Sequence, residues 1–313
     1  MSSNHVFHIN MRRIHMTLTQ LQCLVALAKL GSFTEAAVQM NLTQSAVSHA
    51  LTAFENELNI TLIERNRKGI ITFTPVGKRI LEYARSIVSY AEAIVQEAKA
   101  EQGEITGKLR IGYIPFIHAG MLARIITVFQ ERYPNVEVVL FEGTILEIED
   151  WLNQNIIDAG FLLHPSVGKN STLILTDELC VLVPSGHHLK ERGSIALSEL
   201  GAEHFILSKD ECSFDIINQS GPEKEKITPH VRFRVQDSAT IFAMVQEGLG
   251  ITLLPRMMLS NSLEGTTILS LDPPQLLPIG MVVKSKQRSS PAVQAFIDVV
   301  SMVATMGKDR GEL

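Results

Sequence analysis

Gln44, Ser45, Ser48, His49 and Thr52 share one face of the segment TQSAVSHALTAFENEL, residues 43–58, and none carries a full charge at neutral pH. Val47, Ala50, Leu51, Phe54 and Leu58 recur at helical spacing on the opposite face, enough to bury that side. A solvated helix face is ordinarily rich in Lys and Glu. A stripe of short donors and acceptors suits a different task, lying in the major groove of DNA and meeting base edges without long side chains holding the backbone away. Glutamine can pair bidentately with adenine, and a helix N-terminus, where Gln44 and Ser45 fall, favours a nearby phosphate.

Such a helix must be held by its neighbours, and the punctuation before it is dense. Thr19 with Gln22 has capping-box spacing, and Leu18, Leu21, Val25 and Ala28 then form an inward face until Gly31 stops the helix. Ser32 with Glu35 opens a second, short helix with Phe33, Ala36 and Ala37 inward, ending near Asn41. Thr43 caps the third. Two helices joined by a short turn, the second polar outside, form a helix-turn-helix. In LIERNRKGIITFTPVG, residues 62–77, Arg65, Arg67 and Lys68 precede Gly69, and Ile71 and Phe73 alternate with Thr72 and Thr74. That is a β-hairpin wing with a basic tip, suited to phosphate or minor-groove contact.

Composition agrees with this asymmetry. The 313 residues carry net charge −5, yet residues 1–75 hold six Lys/Arg against four Asp/Glu, and the acidic excess follows them. Mean hydropathy is +0.15, but no uncharged apolar run reaches membrane-spanning length. The N-terminus has basic residues without an apolar core behind them, so no signal peptide and a cytoplasmic location are expected. Cys23, Cys180 and Cys212 are too scattered for a disulfide framework or a metal knuckle.

Thr74-Pro75 starts a long helix in which Ile80, Ile87 and Ile94 repeat every seven residues, with Ala84, Ala91 and Ala98 between them. This predicts a coiled-coil seam about 27 Å long between two copies of the chain, large residues facing small. A two-fold dimer presents two recognition helices, hence an interrupted inverted repeat in double-stranded DNA. After Gly103–Gly107, strand and helix patterns alternate: KLRIGYI, a helix from about His118, VEVVLFEG, a helix from Thr144, then DAGFLL. Such a βαβαβ run implies a parallel sheet. A second set follows with CVLVP, HFILS, a helix near Phe214, VRFRV, SATIFAMVQEG and GITLLP, closed by IGMVVKS and a Pro291-led helix.

The segment from Gly31 to Gly77 resembles the DNA-binding domain of LysR-type transcriptional regulators. The matching pieces are Ser32-Phe33, Ala36-Ala37, Leu42, Gln44-Ser45-Ala46-Val47-Ser48, Glu55, Leu58, Leu62, Arg65, Thr74 and Gly77. The family often has basic residues where His49, Thr52 and Ala53 stand here, which shifts phosphate affinity toward the wing. The resemblance implies an α/β protein with an N-terminal winged helix-turn-helix, a long linker helix, and a two-lobed α/β effector domain resembling periplasmic binding proteins. The expected boundaries are a disordered extension over 1–15, a DNA-binding domain over 16–75, a dimerising linker over 76–102 and an effector domain over 107–313. Within the last, lobe I takes about 107–179 and 272–303, and lobe II about 180–271. Residues 1–15 extend beyond the family's usual start, making Met16 a candidate initiator beside Met1. A homodimer paired into a tetramer, with RNA polymerase as a further partner, is implied in the same way.

The DNA set expected is therefore Ser32, Thr43, Gln44, Ser45, Ser48, His49, Thr52, Arg65, Arg67 and Lys68. Ligands of such sheets sit beyond the carboxyl ends of strands, against helix N-termini that favour anions. The segments arriving there supply Phe116, Ile117, His118, Thr144, His164, Cys212, Ser213, Asp237 and Ser238 as effector-binding candidates. A small organic anion is the expected effector. Thr144, Ser213 and Ser238 can equally be plain helix caps. Cys212 falls near the position where peroxide-sensing members carry a reactive thiol, so redox sensing is the alternative; no second cysteine lies a few residues downstream.

An enzyme is not expected. No GxSxG, P-loop or GxGxxG occurs, GLGITLLP is a helix-to-strand turn, and His187-His188 has no acid at metal spacing. No cofactor and no metal are expected. A periplasmic solute-binding protein would share the body but would need an export signal and no helix-turn-helix.

Overall fold

The computed structural model describes residues 15–65, 71–115, 117, 119–163, 170–208, 228–235, 237–259 and 264–310. The expected helix near Phe214 and nearly all of the 1–15 extension lie outside them. The chain divides into two compact units, one ending at Val95 and the other starting at Gln96. No helix among the described residues is long and apolar enough to cross a membrane.

In the first unit, α1 (Leu18–Leu30), α2 (Phe33–Gln39) and α3 (Gln44–Leu58) start and stop on side-chain signals. Gly31 ends α1 at φ 65°, Asn41 follows α2 at φ 53°, and Asn59 ends α3 at φ 52°, three left-handed positions taken by the residue types that tolerate them. Glu35 N–H donates to Ser32 Oγ (3.3 Å) and Ala46 N–H to Thr43 Oγ1 (3.2 Å), capping α2 and α3. The expected start of α1 is corrected. Thr17 and Gln20 form the capping box, with Gln20 N–H donating to Thr17 Oγ1 (3.3 Å) and Thr17 N–H to Gln20 Oε1 (2.8 Å). Thr19 and Gln22 have the same spacing, and core packing selects between the two. Beginning at Leu18 turns Leu21, Cys23, Leu24, Ala26 and Leu27 into the interior and leaves Leu18 exposed, with Val25 and Ala28 half-buried.

Those residues meet Ala36, Ala37, Val47, Leu51, Phe54 and Leu62 in one cluster. Full burial of a side chain such as Phe54 stabilises by about 1.5–3 kcal/mol. The wing pairs β1 (Ile63–Arg65) antiparallel to β2 (Ile71–Phe73), with Ile63 opposite Phe73. Glu55 fastens it to α3, its Oε1 accepting from Leu62 N–H (2.7 Å) and Ile63 N–H (3.1 Å). Gly77 is required by closeness, because a Cβ there would stand 2.2 Å from the Leu62 carbonyl oxygen. It lies in the first turn of α4 (Pro75–Ala100), whose N-terminus Thr74 holds by accepting from Gly77 N–H (2.9 Å).

The second unit contains an eight-stranded sheet. Its first part is β3 (Gly107–Tyr113), α5 (Ala119–Arg132), β4 (Val136–Glu142), α6 (Ile145–Asn153) and β5 (Ala159–Leu163), with the strands parallel in the order β4-β3-β5. Next comes β6 (Ser171–Pro184), longer than the expected CVLVP strand. Its first half was hidden by Thr176-Asp177-Glu178, a polar interruption of the apolar pattern. The structure pairs both acids: Asp177 Oδ2 accepts from Met257 N–H (2.9 Å) and Glu178 Oε2 from Arg256 Nε (3.1 Å).

Then follow β7 (Ser194–Ile195), a 3-10 turn (Leu197–Ala202), β8 (His204–Ser208), β9 (His230–Val235), α7 (Ser238–Gln246), β10 (Thr252–Pro255), β11 (Thr266–Leu271), β12 (Leu276–Val283) and α8 (Pro291–Arg310). Strand β6 changes partners along its length. Ser171–Glu178 pairs with β12, and Leu179–Pro184 pairs with β10 and β11. The chain returns from β11 to β12, giving two sheet halves that share β6. One apolar cluster surrounds Phe129, Phe161 and Phe296, and a second surrounds Leu179, Val181, Phe205 and Leu253.

Candidate nucleic-acid interface and ligand cleft

Helix α3 separates its two faces cleanly. Val47, Leu51 and Phe54 are buried, while Gln44, Ser45, His49 and Thr52 are exposed and Ser48 is half-buried. The stripe is therefore presented to solvent at the start of a capped helix, the end where backbone amides point outward. Thr43 Oγ1 lies 3.0 Å from Ser45 Oγ, which couples the cap to the first turn of the stripe. A capping hydroxyl accepts an amide and still carries its own hydrogen, so Ser32 keeps a donor for an anion while closing its helix, and Thr43 and Ser45 share one hydrogen between them and keep the other. Arg65 ends β1 opposite Ile71. Its side chain, and Arg67 and Lys68 entirely, lie outside the described residues. Helix α3 itself contains no Lys or Arg.

On α4 the expected seam is corrected in its first half. Ala84 is 1% exposed, and Ile80 packs with Leu81 and Val88 against the core of the first unit. Burial within the chain outbids a partner there. The exposed apolar stripe runs through Tyr83 (71%), Ile87 (41%), Tyr90 (50%) and Ile94 (70%), with the tyrosines one residue before Ala84 and Ala91. Its spacing of four, three and four is the heptad spacing of a two-helix contact. Ile87 and Ile94 belong to both the expected seam and this exposed stripe, Ala91 is half-buried and Ala98 exposed beside it, and the tyrosines were missed because their polar tips broke the Ile/Ala pattern.

In the second unit a cleft of about 850 Å³ opens where β3 and β4 end, bounded by α5 and by the N-terminus of α7. Tyr113, Ile117, Leu122, Glu142, Asp237 and Ser238 line it. Of the expected effector residues it thus brings together Ile117, Asp237 and Ser238. Thr144 does not line it; its hydroxyl accepts from Glu147 N–H (3.1 Å) while its own N–H donates to Glu147 Oε2 (2.9 Å), a complete capping box on α6. Phe116, His118, His164, Cys212 and Ser213 lie outside the described residues. Tyr113 and Glu142 went unnoticed in sequence because only the parallel register of β3 with β4 sets them side by side. The phenol donates to Glu142 Oε2 (2.9 Å), and burial, reinforced by that carboxylate, pushes its pKa up. Asp237 Oδ2 accepts from Thr240 Oγ1 (2.8 Å) and Thr240 N–H (2.8 Å), which holds its carboxyl below the usual range. Two carboxylates therefore border the described wall.

The two described cysteines, Cys23 and Cys180, are fully buried. Burial pushes the Cys180 thiol up to about 11, against a smaller opposing pull from Arg256, so it stays protonated. The absence of an acid near His187-His188 in sequence is also corrected. Glu203, remote along the chain, stands 3.3 Å from His187 and 3.4 Å from His188.

Known proteins share the order of these two units. Residues 18–78 match the family of bacterial regulatory helix-turn-helix proteins of lysR type, and residues 102–304 match the LysR substrate binding domain. The uncharacterized HTH-type transcriptional regulator YvbU of Bacillus subtilis is 35% identical over 289 residues, 91% of this chain and 97% of that one. A probable hydrogen peroxide-inducible genes activator of Streptomyces viridosporus is 32% identical over 253 residues, 78% of this chain and 79% of that one. Full-length OxyR from Pseudomonas aeruginosa, solved as a point variant, shares the fold with a TM-score of 0.76 at 22% identity, over 93% of this chain and 95% of that one.

Proposed function

The chain belongs to the LysR family of transcriptional regulators, and on that footing we propose that the uncharged face of α3 reads base edges while the wing holds the DNA backbone. The protein is a regulator with a helix-turn-helix and an effector-binding domain, and its relatives are named as transcriptional regulators, not as enzymes. Gln44 and Ser45 take the base edges, and Ser48, His49 and Thr52 extend the footprint. Ser32, Thr43, Arg65, Arg67 and Lys68 take phosphates, a contact that positions the protein without specifying sequence. The observation that carries this reading is the exposure of Gln44, Ser45, His49 and Thr52 directly opposite the buried Val47, Leu51 and Phe54.

Two copies join through Tyr83, Ile87, Tyr90 and Ile94, and pairs of dimers form a tetramer in the cytoplasm. Two-fold symmetry then requires an interrupted inverted repeat. Selection from a random-sequence DNA pool tests this. Enrichment of a repeat with two inverted half-sites a helical turn or more apart supports the reading, and a direct repeat or a single half-site refutes it.

Effector binding in the cleft shifts the balance between two arrangements of the DNA-binding pairs, by as much as its affinity differs between them. DNA bend and polymerase access follow from that shift. Ile117, Asp237 and Ser238, with Phe116, His118, His164, Cys212 and Ser213 from the sequence reading, form the effector set, now joined by Tyr113 and Glu142, while Thr144 serves as the cap of α6. An organic anion is the reading brought from the sequence. The carboxylates of Glu142 and Asp237 favour a second one, a neutral or cationic polar molecule whose apolar body lies on Ile117 and Leu122. Asp237→Asn separates them: it tightens an anion and weakens a cation. The redox alternative rests on Cys212 and on the likeness to a peroxide-inducible activator. Peroxide titration with mass spectrometry tests it, an unmodified Cys212 removing that reading.

A further inference from the structure

We propose that His187, His188 and Glu203 form a binding site for a divalent transition-metal ion such as Zn²⁺. The two histidines occupy the turn that follows β6, and Glu203 follows the 3-10 turn that leads into β8. The imidazole rings lie 4.5 Å apart, centre to centre, and 33° from parallel. His187 Nε2 faces Glu203 Oε2 at 3.3 Å and His188 Nε2 faces Glu203 Oε1 at 3.4 Å. One ligand atom from each of the three residues can be chosen so that all lie within 4.8 Å of one another.

These separations decide between two occupants. A charge-assisted N–H···O bond closes to about 2.7–2.9 Å, shorter than either contact. Two ligands bonded at about 2.0–2.1 Å to one tetrahedral ion stand about 3.3–3.4 Å apart, the separation of each imidazole nitrogen from the carboxylate oxygen it faces, and the set closes to within 4.8 Å as a whole. Burial fits as well. The side chains of His187 and Glu203 are 16% and 18% exposed, while that of His188 is 69% exposed at the rim. Two ligands are thus preplaced and the third closes over from solvent.

Two imidazoles and one carboxylate suit zinc, cobalt or nickel rather than magnesium or calcium, which prefer oxygen alone. Three protein ligands leave a fourth position for water, so the site is open and weaker than a closed four-ligand one. Leu189 N–H approaches His187 Nδ1 at 3.4 Å, longer than a strong hydrogen bond. Metal at Nε2 moves the imidazole proton to Nδ1 and releases that contact, with no net proton change for a neutral ring. Occupation cross-links the turn after β6 to the segment entering β8. Because β6 is shared by both sheet halves, the ion bears on the strand through which they are joined.

The test is titration of the untagged full-length protein with Co²⁺, followed by visible absorption, and with Zn²⁺, followed by calorimetry. The wild type should bind one ion with the intense visible bands of tetrahedral cobalt. His188→Gln and Glu203→Gln should each weaken it at least about tenfold, the loss known even for residues behind the ligands, and His204→Gln should leave it unchanged. His188 is exposed, so its variant keeps the fold and decides the matter if Glu203→Gln does not fold. No cobalt band in the wild type, undiminished binding by His188→Gln, or loss on His204→Gln alone would overturn the site.

Discussion

Glu55 is the joint on which the DNA-binding head turns, and replacing it by alanine has a calculable effect. Its Oε1 accepts from the amides of Leu62 (2.7 Å) and Ile63 (3.1 Å), so one carboxylate on α3 sets where the wing begins. Hydrogen bonds to a charged group contribute about 1.5–3 kcal/mol each. Each amide gives up one such bond in Glu55→Ala, and because one pK unit or decade corresponds to about 1.36 kcal/mol, its opening free energy falls enough to speed exchange about 10- to 150-fold. Hydrogen-exchange mass spectrometry of peptides covering residues 59–65 reads this directly, with peptides of the effector domain as internal controls. A second readout follows from the wing's charge. If the freed wing no longer seats Arg65, Arg67 and Lys68 on phosphates, the slope of log K against log salt falls by up to about 2.7, at about 0.9 for each phosphate set free. Faster exchange with an unchanged salt slope would show that the wing is not the phosphate clamp. Unchanged exchange would refute the joint itself.

Three further outcomes follow from the geometry. Gly77→Ala forces a methyl toward the Leu62 carbonyl at 2.2 Å, and overpacking of that kind costs about 1–3 kcal/mol, readable as a lowered thermal midpoint of the head. Ile94→Asp, at a position 70% exposed, should dissociate the dimer in analytical ultracentrifugation while leaving the circular dichroism spectrum intact; an unchanged dimer removes the Tyr83–Ile94 seam. Asp237 has a folded pKa lowered chiefly by its bond from the Thr240 hydroxyl. Its contribution is therefore present above the unfolded carboxylate value and lost as pH falls through the lower folded value. Measured against the intrinsic rate at each pH, amides at the α7 N-terminus should lose protection over that acidic window in the wild type and show no such step in Asp237→Asn.

Much of the head was legible in the sequence because its signals are local. Gly31, Ser32, Asn41 and Thr43 each act on the turn they sit in, so reading them needs no tertiary knowledge. The errors arose where two local readings were equally good and packing chose. Thr17/Gln20 and Thr19/Gln22 share one spacing, and only the burial of Leu21, Leu24 and Leu27 separates them. Ile80 and Ala84 fit a heptad, yet they are consumed by the head's own core, and the exposed stripe passes through tyrosines that a purely aliphatic pattern overlooks. The body shows the converse limit. The Tyr113–Glu142 pair and the His187–His188–Glu203 cluster join residues from separate elements, and strand order and register, not spacing along the chain, create them.

In the proposed function α3 reads DNA through side chains without charge. The direct measurement is the ratio of specific to non-specific affinity for Gln44→Ala, at fixed salt, on the selected operator and on scrambled duplex. Removing one bidentate pairing with a base should lower operator affinity by about 1–3 kcal/mol, roughly 5- to 150-fold, and leave scrambled DNA unaffected. Equal losses on both duplexes, or none on either, would contradict it.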